Sequence, residues 1–132
     1  RSIRLARVLH EAGLRPGDHV AYVAENGPEV FEVYWAALRS GLYVTGINHH
    51  LAVAEAAYIL EDCGAQVLVA GAEVGELAQG LISHPSKVTR HLAFGGEVPG
   101  YESYEDALAA VSAEPLDDQP RGADMLYSSG TT

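Results

Sequence analysis

Short apolar runs alternate with amphipathic stretches along almost the whole chain, and that alternation constrains the fold more than any other feature. Residues 19–24, 43–47, 66–70, 88–94 and 123–127 read as strands. Between them lie stretches of helical periodicity: 2–13, a segment opened by Pro28 and ended by Gly41, 52–63, 73–82 and a short one from Ser103. The run at 66–70 is apolar on both faces, as in a parallel strand covered from both sides. Strand, helix, strand, repeated with short connections, implies right-handed crossovers. The expected fold class is α/β, a mostly parallel sheet with helices on both faces.

Local signals set the helix ends. Ser2 is placed to cap the first helix, with Leu5, Val8, Leu9 and Ala12 inward and Gly13-Leu14 as a left-handed stop. Pro28 suits a first helical position, Glu29 and Glu32 the positive end of the dipole, and Arg39 the negative end. In that helix Val30, Phe31, Tyr34, Ala37 and Leu38 form the stripe expected to be buried. In the third helix Val53, Ala56, Ala57, Leu60 and Cys63 face inward, and Gly64 stops it. Ser103, with Asp106 three residues on, is expected to make a capping-box-like exchange. An acidic, proline-bracketed loop, 114–122, leads to the last strand.

Composition excludes several classes. A length of 132 residues with 48% hydrophobic suits one globular domain. A single cysteine, Cys63, cannot staple its own chain and points to a reducing, cytoplasmic setting. No run approaches the roughly 18 apolar residues of a membrane span, so contact with a membrane would be peripheral. The net charge is −10 and Lys87 is the only lysine, which argues against nucleic acid as a partner. The first residue is not Met and the chain closes inside a turn-forming run, so a fragment is expected. A sheet cut from neighbouring domains would expose apolar surface and favour self-association, a homodimer included.

The chemistry is expected where the last strand meets Ser128, Ser129, Gly130, Thr131 and Thr132. Ligands of open parallel sheets bind beyond the carboxyl ends of strands. Four hydroxyls around a glycine make an anion cradle there. The P-loop pattern needs a lysine that is absent, and no Gly-x-Gly-x-x-Gly follows the first strand. His49-His50 are expected to point opposite ways in extended chain and to serve only as loop residues. Asn48 is read as fixing a turn, Cys63 as a small buried apolar group, and Tyr34-Trp35 as core and flank.

The run 127–132 resembles the start of the Ser/Thr/Gly-rich phosphate loop of adenylate-forming enzymes. Upstream, Leu14-Arg15-Pro16-Gly17-Asp18-His19-Val20-Ala21 is similar to that family's entry into its first strand. Asn26-Gly27-Pro28-Glu29 and Ala36-Ala37-Leu38-Arg39-Ser40-Gly41 are similar to the helix that follows. Ile47-Asn48-His49-His50-Leu51, with Glu55, Ala56, Tyr58, Ile59 and Leu60, has the flavour of fatty acyl-CoA synthetases. The resemblance implies a single α/β subdomain over 1–132, part of the larger N-terminal domain of such an enzyme and ending inside the phosphate loop. It also implies ATP, Mg2+ and coenzyme A as cofactors of the whole enzyme and a small-molecule carboxylate as its substrate. Residues 128–132 would hold the β- and γ-phosphates; no catalytic and no metal-binding residue falls within these 132. A different class remains beside it: a non-catalytic, flavodoxin-like module that holds a phosphorylated partner.

Overall fold

A computed structural model describes residues 1–112 and 123–124. Among them the strands are β1 (His19–Val23), β2 (Tyr43–Gly46), β3 (Val67–Gly71), β4 (Arg90–Phe94), β5 (Glu102–Ser103) and β6 (Ala123–Asp124). The helices are α1 (Ser2–Glu11), α2 (Pro28–Arg39), α3 (Val53–Cys63), α4 (Gly75–Ile82) and α5 (Tyr104–Ala109), with a 3-10 turn at Ala72–Val74. The strands form one sheet in the order β5-β4-β3-β1-β2-β6, and every pairing is parallel. The chain starts in the middle, steps to β2, crosses back over β1 to β3, and continues outward.

Both faces are covered, as the α/β pattern requires. On one side α1, α2 and α5 pack Leu5, Leu9, Val33, Ala37 and Leu108 against Val20, Val44, Val67 and Leu92. On the other, α3 and α4 pack Ala56, Leu60, Ala78 and Leu81 against Ala21, Leu68 and Ala93. All five residues of β3 are buried. α1 ends in a Schellman motif: Gly13 takes φ 100°, its N–H donates to His10, and the Leu14 N–H donates to Leu9.

Three local expectations are corrected. Arg1, not Ser2, precedes the first helical turn, and no side chain caps it. Arg1 Nε instead meets Glu32 at 2.7 Å while its two terminal nitrogens grip Glu105. Glu32 also accepts the hydroxyl of fully buried Tyr104 at 2.7 Å, so it ties α1 to α5 rather than serving the α2 dipole. The buried stripe of α2 is the expected one only in part: Ala37 is buried and Val30 and Tyr34 pack against the core, but Val33 and Ala36 are buried as well and Phe31 is 66% exposed. Small residues let α2 lie close to sheet and neighbour, and turning Glu32 toward Arg1 and Tyr104 carries the bulky Phe31 outward. Finally, Glu102–Ser103 is a short strand as well as the start of a helix, held to β4 by the Arg90–Glu102 pair at 2.8 Å. The Ser103 hydroxyl accepts the Asp106 N–H at 3.2 Å, half of the capping exchange expected there.

Leu92→Ala should expose how tightly the central layer is packed. Leu92 is fully buried on β4, and truncation is expected to cost about 2–5 kcal/mol, read as a lower urea midpoint at unchanged slope.

Candidate functional site

The carboxyl edge of the sheet is where the topology can build a site. β2, β1, β3, β4 and β5 reproduce the flavodoxin-like order, whose switch point falls between β1 and β3. Here a carboxylate stands at that crevice. Glu73, just beyond β3, turns its carboxylate back to accept the Glu25 N–H at 3.0 Å, beyond the end of β1. A Cβ at Gly71 would collide with that carboxylate, so Gly71 is what admits it. Sequence reasoning missed this contact, since Glu25 and Glu73 lie 48 residues apart and neither belongs to a motif. An anionic ligand at the switch point would meet that carboxylate.

A cleft of about 710 Å³ opens between the loop after β4 and the first turn of α5. Its charged lining is Glu97, Glu102, Glu105 and Asp106, all acidic. Arg90 holds the Glu102 carboxyl below the usual range, and Arg1 does the same for Glu105. Neither place suits phosphate.

The other end of the sheet carries the residues singled out from sequence. β6 pairs with β2 in register Tyr43↔Ala123 and Val44↔Asp124. Ser128, Ser129, Gly130, Thr131 and Thr132 follow and lie outside the described residues, as does the acidic loop 114–122 before β6. At the carboxyl end of β2, Asn48 does fix a turn: its Oδ1 accepts the His50 N–H at 2.9 Å. The expectation for His49 and His50 is corrected. They sit in a turn, not in extended chain, and their rings lie side by side with centroids 4.1 Å apart. Among the described residues, no three His, Cys, Asp or Glu side chains come together as a metal site.

The remaining singled-out residues have structural roles. Cys63 is buried, its thiol faces the Leu60 carbonyl at 3.4 Å, and burial pushes its pKa up. Tyr34 packs edge-on to Tyr22, ring centroids 5.8 Å apart, while Trp35 is 58% exposed. No described helix is long and apolar enough to cross a membrane.

With the geometry in place, comparison with known proteins identifies the class. Residues 1–132 match, throughout, the family described as AMP-binding enzyme, and the chain belongs to that family of adenylate-forming enzymes. Among its relatives, feruloyl-CoA synthase of an Amycolatopsis species is 35% identical over 136 residues, covering 100% of this chain and 25% of that protein. Fatty acid–[acyl-carrier-protein] ligase ScoC of Streptomyces coeruleorubidus is 30% identical over 139 residues, covering 99% of this chain and 24% of that one. Among solved structures, a Mycobacterium tuberculosis fatty acyl CoA synthetase superposes with a TM-score of 0.83 at 26% identity, over 98% of this chain and 26% of that one. The chain thus spans about a quarter of the length of these proteins.

Acid sensitivity follows from two histidines. Burial lowers the pKa of His19 and of His91 below the ordinary 6.5. Unfolding therefore takes up protons, and stability is present above pH 6.5 and declines as pH falls through and below it. Glu102 and Glu105, held below the ordinary 4.5, add a second loss below that pH. Thermal midpoints measured from about pH 8 to about pH 2 should fall in two stages, and His91→Leu should shrink the first.

Proposed function

We propose that this chain is the N-terminal α/β portion of an ATP-dependent acyl-CoA synthetase that activates a carboxylic acid, a fatty acid in the first instance. In the first half-reaction a carboxylate oxygen of the acid attacks the α-phosphate of Mg-ATP, giving an acyl-adenylate and pyrophosphate. In the second, the coenzyme A thiol attacks the acyl carbon, the thiol proton is lost, and AMP leaves. Mg2+ enters with ATP as part of the substrate complex.

Within this scheme Ser128, Ser129, Gly130, Thr131 and Thr132 grip the β- and γ-phosphates. Hydroxyls and backbone N–H groups there hold the pyrophosphate in line as it departs, an electrostatic and positioning contribution. The observation that carries the reading is β6. It runs parallel to β2, so its carboxyl end points to the same edge as those of the other strands, the edge at which such sheets bind ligands. Membership in the AMP-binding family supports the reaction class. Relatives named for feruloyl and for fatty acids bracket the acid, and the second of them names a carrier protein in place of coenzyme A.

The strand order favours a second reading, a flavodoxin-like phosphate-binding module. Glu73 sets a carboxylate at the switch point, so such a module too would hold its phosphorylated partner through residues 128–132. ATP–pyrophosphate exchange by the full-length protein with a panel of carboxylic acids decides between the two. Exchange with medium- or long-chain acids is expected; no exchange with any acid would leave only the binding module.

Residues 1–132 alone should not hold ATP well. Three or four hydrogen bonds to charged oxygens contribute roughly 5–12 kcal/mol, against an association cost of about 4–15 kcal/mol. The chain also carries −10 against a polyanion. Calorimetry on this piece should show no micromolar binding, and a micromolar isotherm would refute the expectation.

A further inference from the structure

The loops that leave the carboxyl ends of the strands differ sharply in charge. Residues 24–27, 71–74 and 95–101 contain Glu25, Glu73 and Glu97 and no Lys, Arg or His. Arg1, which α1 brings to this edge, is held by Glu32 and Glu105. The hydroxyl-rich segment after β6 contains no basic residue either. Only the loop after β2 breaks the pattern, with His49 and His50.

Their geometry is specific. Asn48 folds the turn through the His50 N–H, and the turn sets two consecutive imidazoles side by side, 4.1 Å between centroids and 39° between planes. Neither ring is in an ion pair among the described residues. The pair also lies beside the right strand. The pair follows β2, and Val44 of β2 and Asp124 of β6 are register partners on neighbouring parallel strands.

We propose that the His49–His50 pair is a second phosphate-contacting element, donating imidazole N–H bonds to the polyphosphate of ATP or to departing pyrophosphate from the β2 side. The inference rests on reading 128–132 as the phosphate loop. Chemistry favours it in three ways. Each imidazole carries at least one N–H donor in either protonation state, so the pair supplies directed donors at any working pH. These are the sole side chains in the described edge loops able to carry positive charge, and a polyphosphate is the ligand that most needs one. The switch-point crevice and the cleft beside α5 are lined by carboxylates, which leaves the β2–β6 end as the hospitable side for an anion.

Steady-state ATP–pyrophosphate exchange in the full-length protein, wild type against His49→Ala/His50→Ala, tests this. The double variant should raise KM for ATP and for pyrophosphate roughly 10-fold, the size of one lost charged contact. Its kcat should change by less than about threefold, because the pair binds rather than reacts. KM for the acid should stay put, and His50→Arg should keep the wild-type KM for ATP. Unchanged nucleotide KM in a folded double variant overturns the proposal, as does an equal rise in KM for the acid. Should the double variant not fold, exposed His50→Ala is read by the same criteria. A wild-type protein with no exchange at all defeats the synthetase reading instead and leaves the phosphate-binding one. The pair is then judged by imidazole proton NMR on adding inorganic pyrophosphate: absence of shifts at His49 and His50 overturns it, and shifts confined to them sustain it.

Discussion

The parallel ladder of β1 and β3 is the constraint from which the rest of this molecule follows. Its register runs from Val20↔Val67 to Val23↔Ala70, and β3 has no exposed residue on either face. Such a strand survives only if helices cover both sides, because apolar burial is the main favourable term in folding. Right-handed crossovers then leave little choice. One helix after β1 must lie on one face and the helix after β2 on the other, and the two hydrophobic clusters on opposite faces of the sheet are the outcome.

The same ladder explains how charge is distributed. In parallel strands every carboxyl end reaches one edge, and the loops there open helices, where acidic residues suit the dipole. Glu29 and Glu105 fall in such first turns. The edge becomes acidic as a by-product of helix design, and the chain then uses those carboxylates structurally. Glu32 and Glu105 hold Arg1, Glu102 holds Arg90, and Glu73 stands at the switch point. A fold of flavodoxin-like order thus carries a carboxylate at its usual crevice.

The fold class was legible from the chain because periodicity reports burial directly: alternating runs of two kinds admit few packings. Asn48, Cys63 and the Gly13-Leu14 stop were legible for the same local reason, since each acts on its immediate neighbours. α2 was misread because two overlapping apolar stripes exist on that helix. The aromatic-rich one containing Phe31 has the larger side chains, and the one through Val33, Ala36 and Ala37 is the one fully buried.

What the amino-acid order determined by itself is the α/β alternation, the parallel sheet, the helix stops and the likeness of its motifs to adenylate-forming enzymes. All of these depend on residues close in sequence. Tertiary structure alone decided which stripe of α2 is fully buried, the setting of Glu73 at the switch point, the Arg1–Glu32–Tyr104 tie and the side-by-side setting of His49 and His50 beside the strand that pairs with β6. Each depends on distances between elements that crossovers bring together, or on a turn that reverses the direction of neighbouring side chains, and no periodicity encodes such distances.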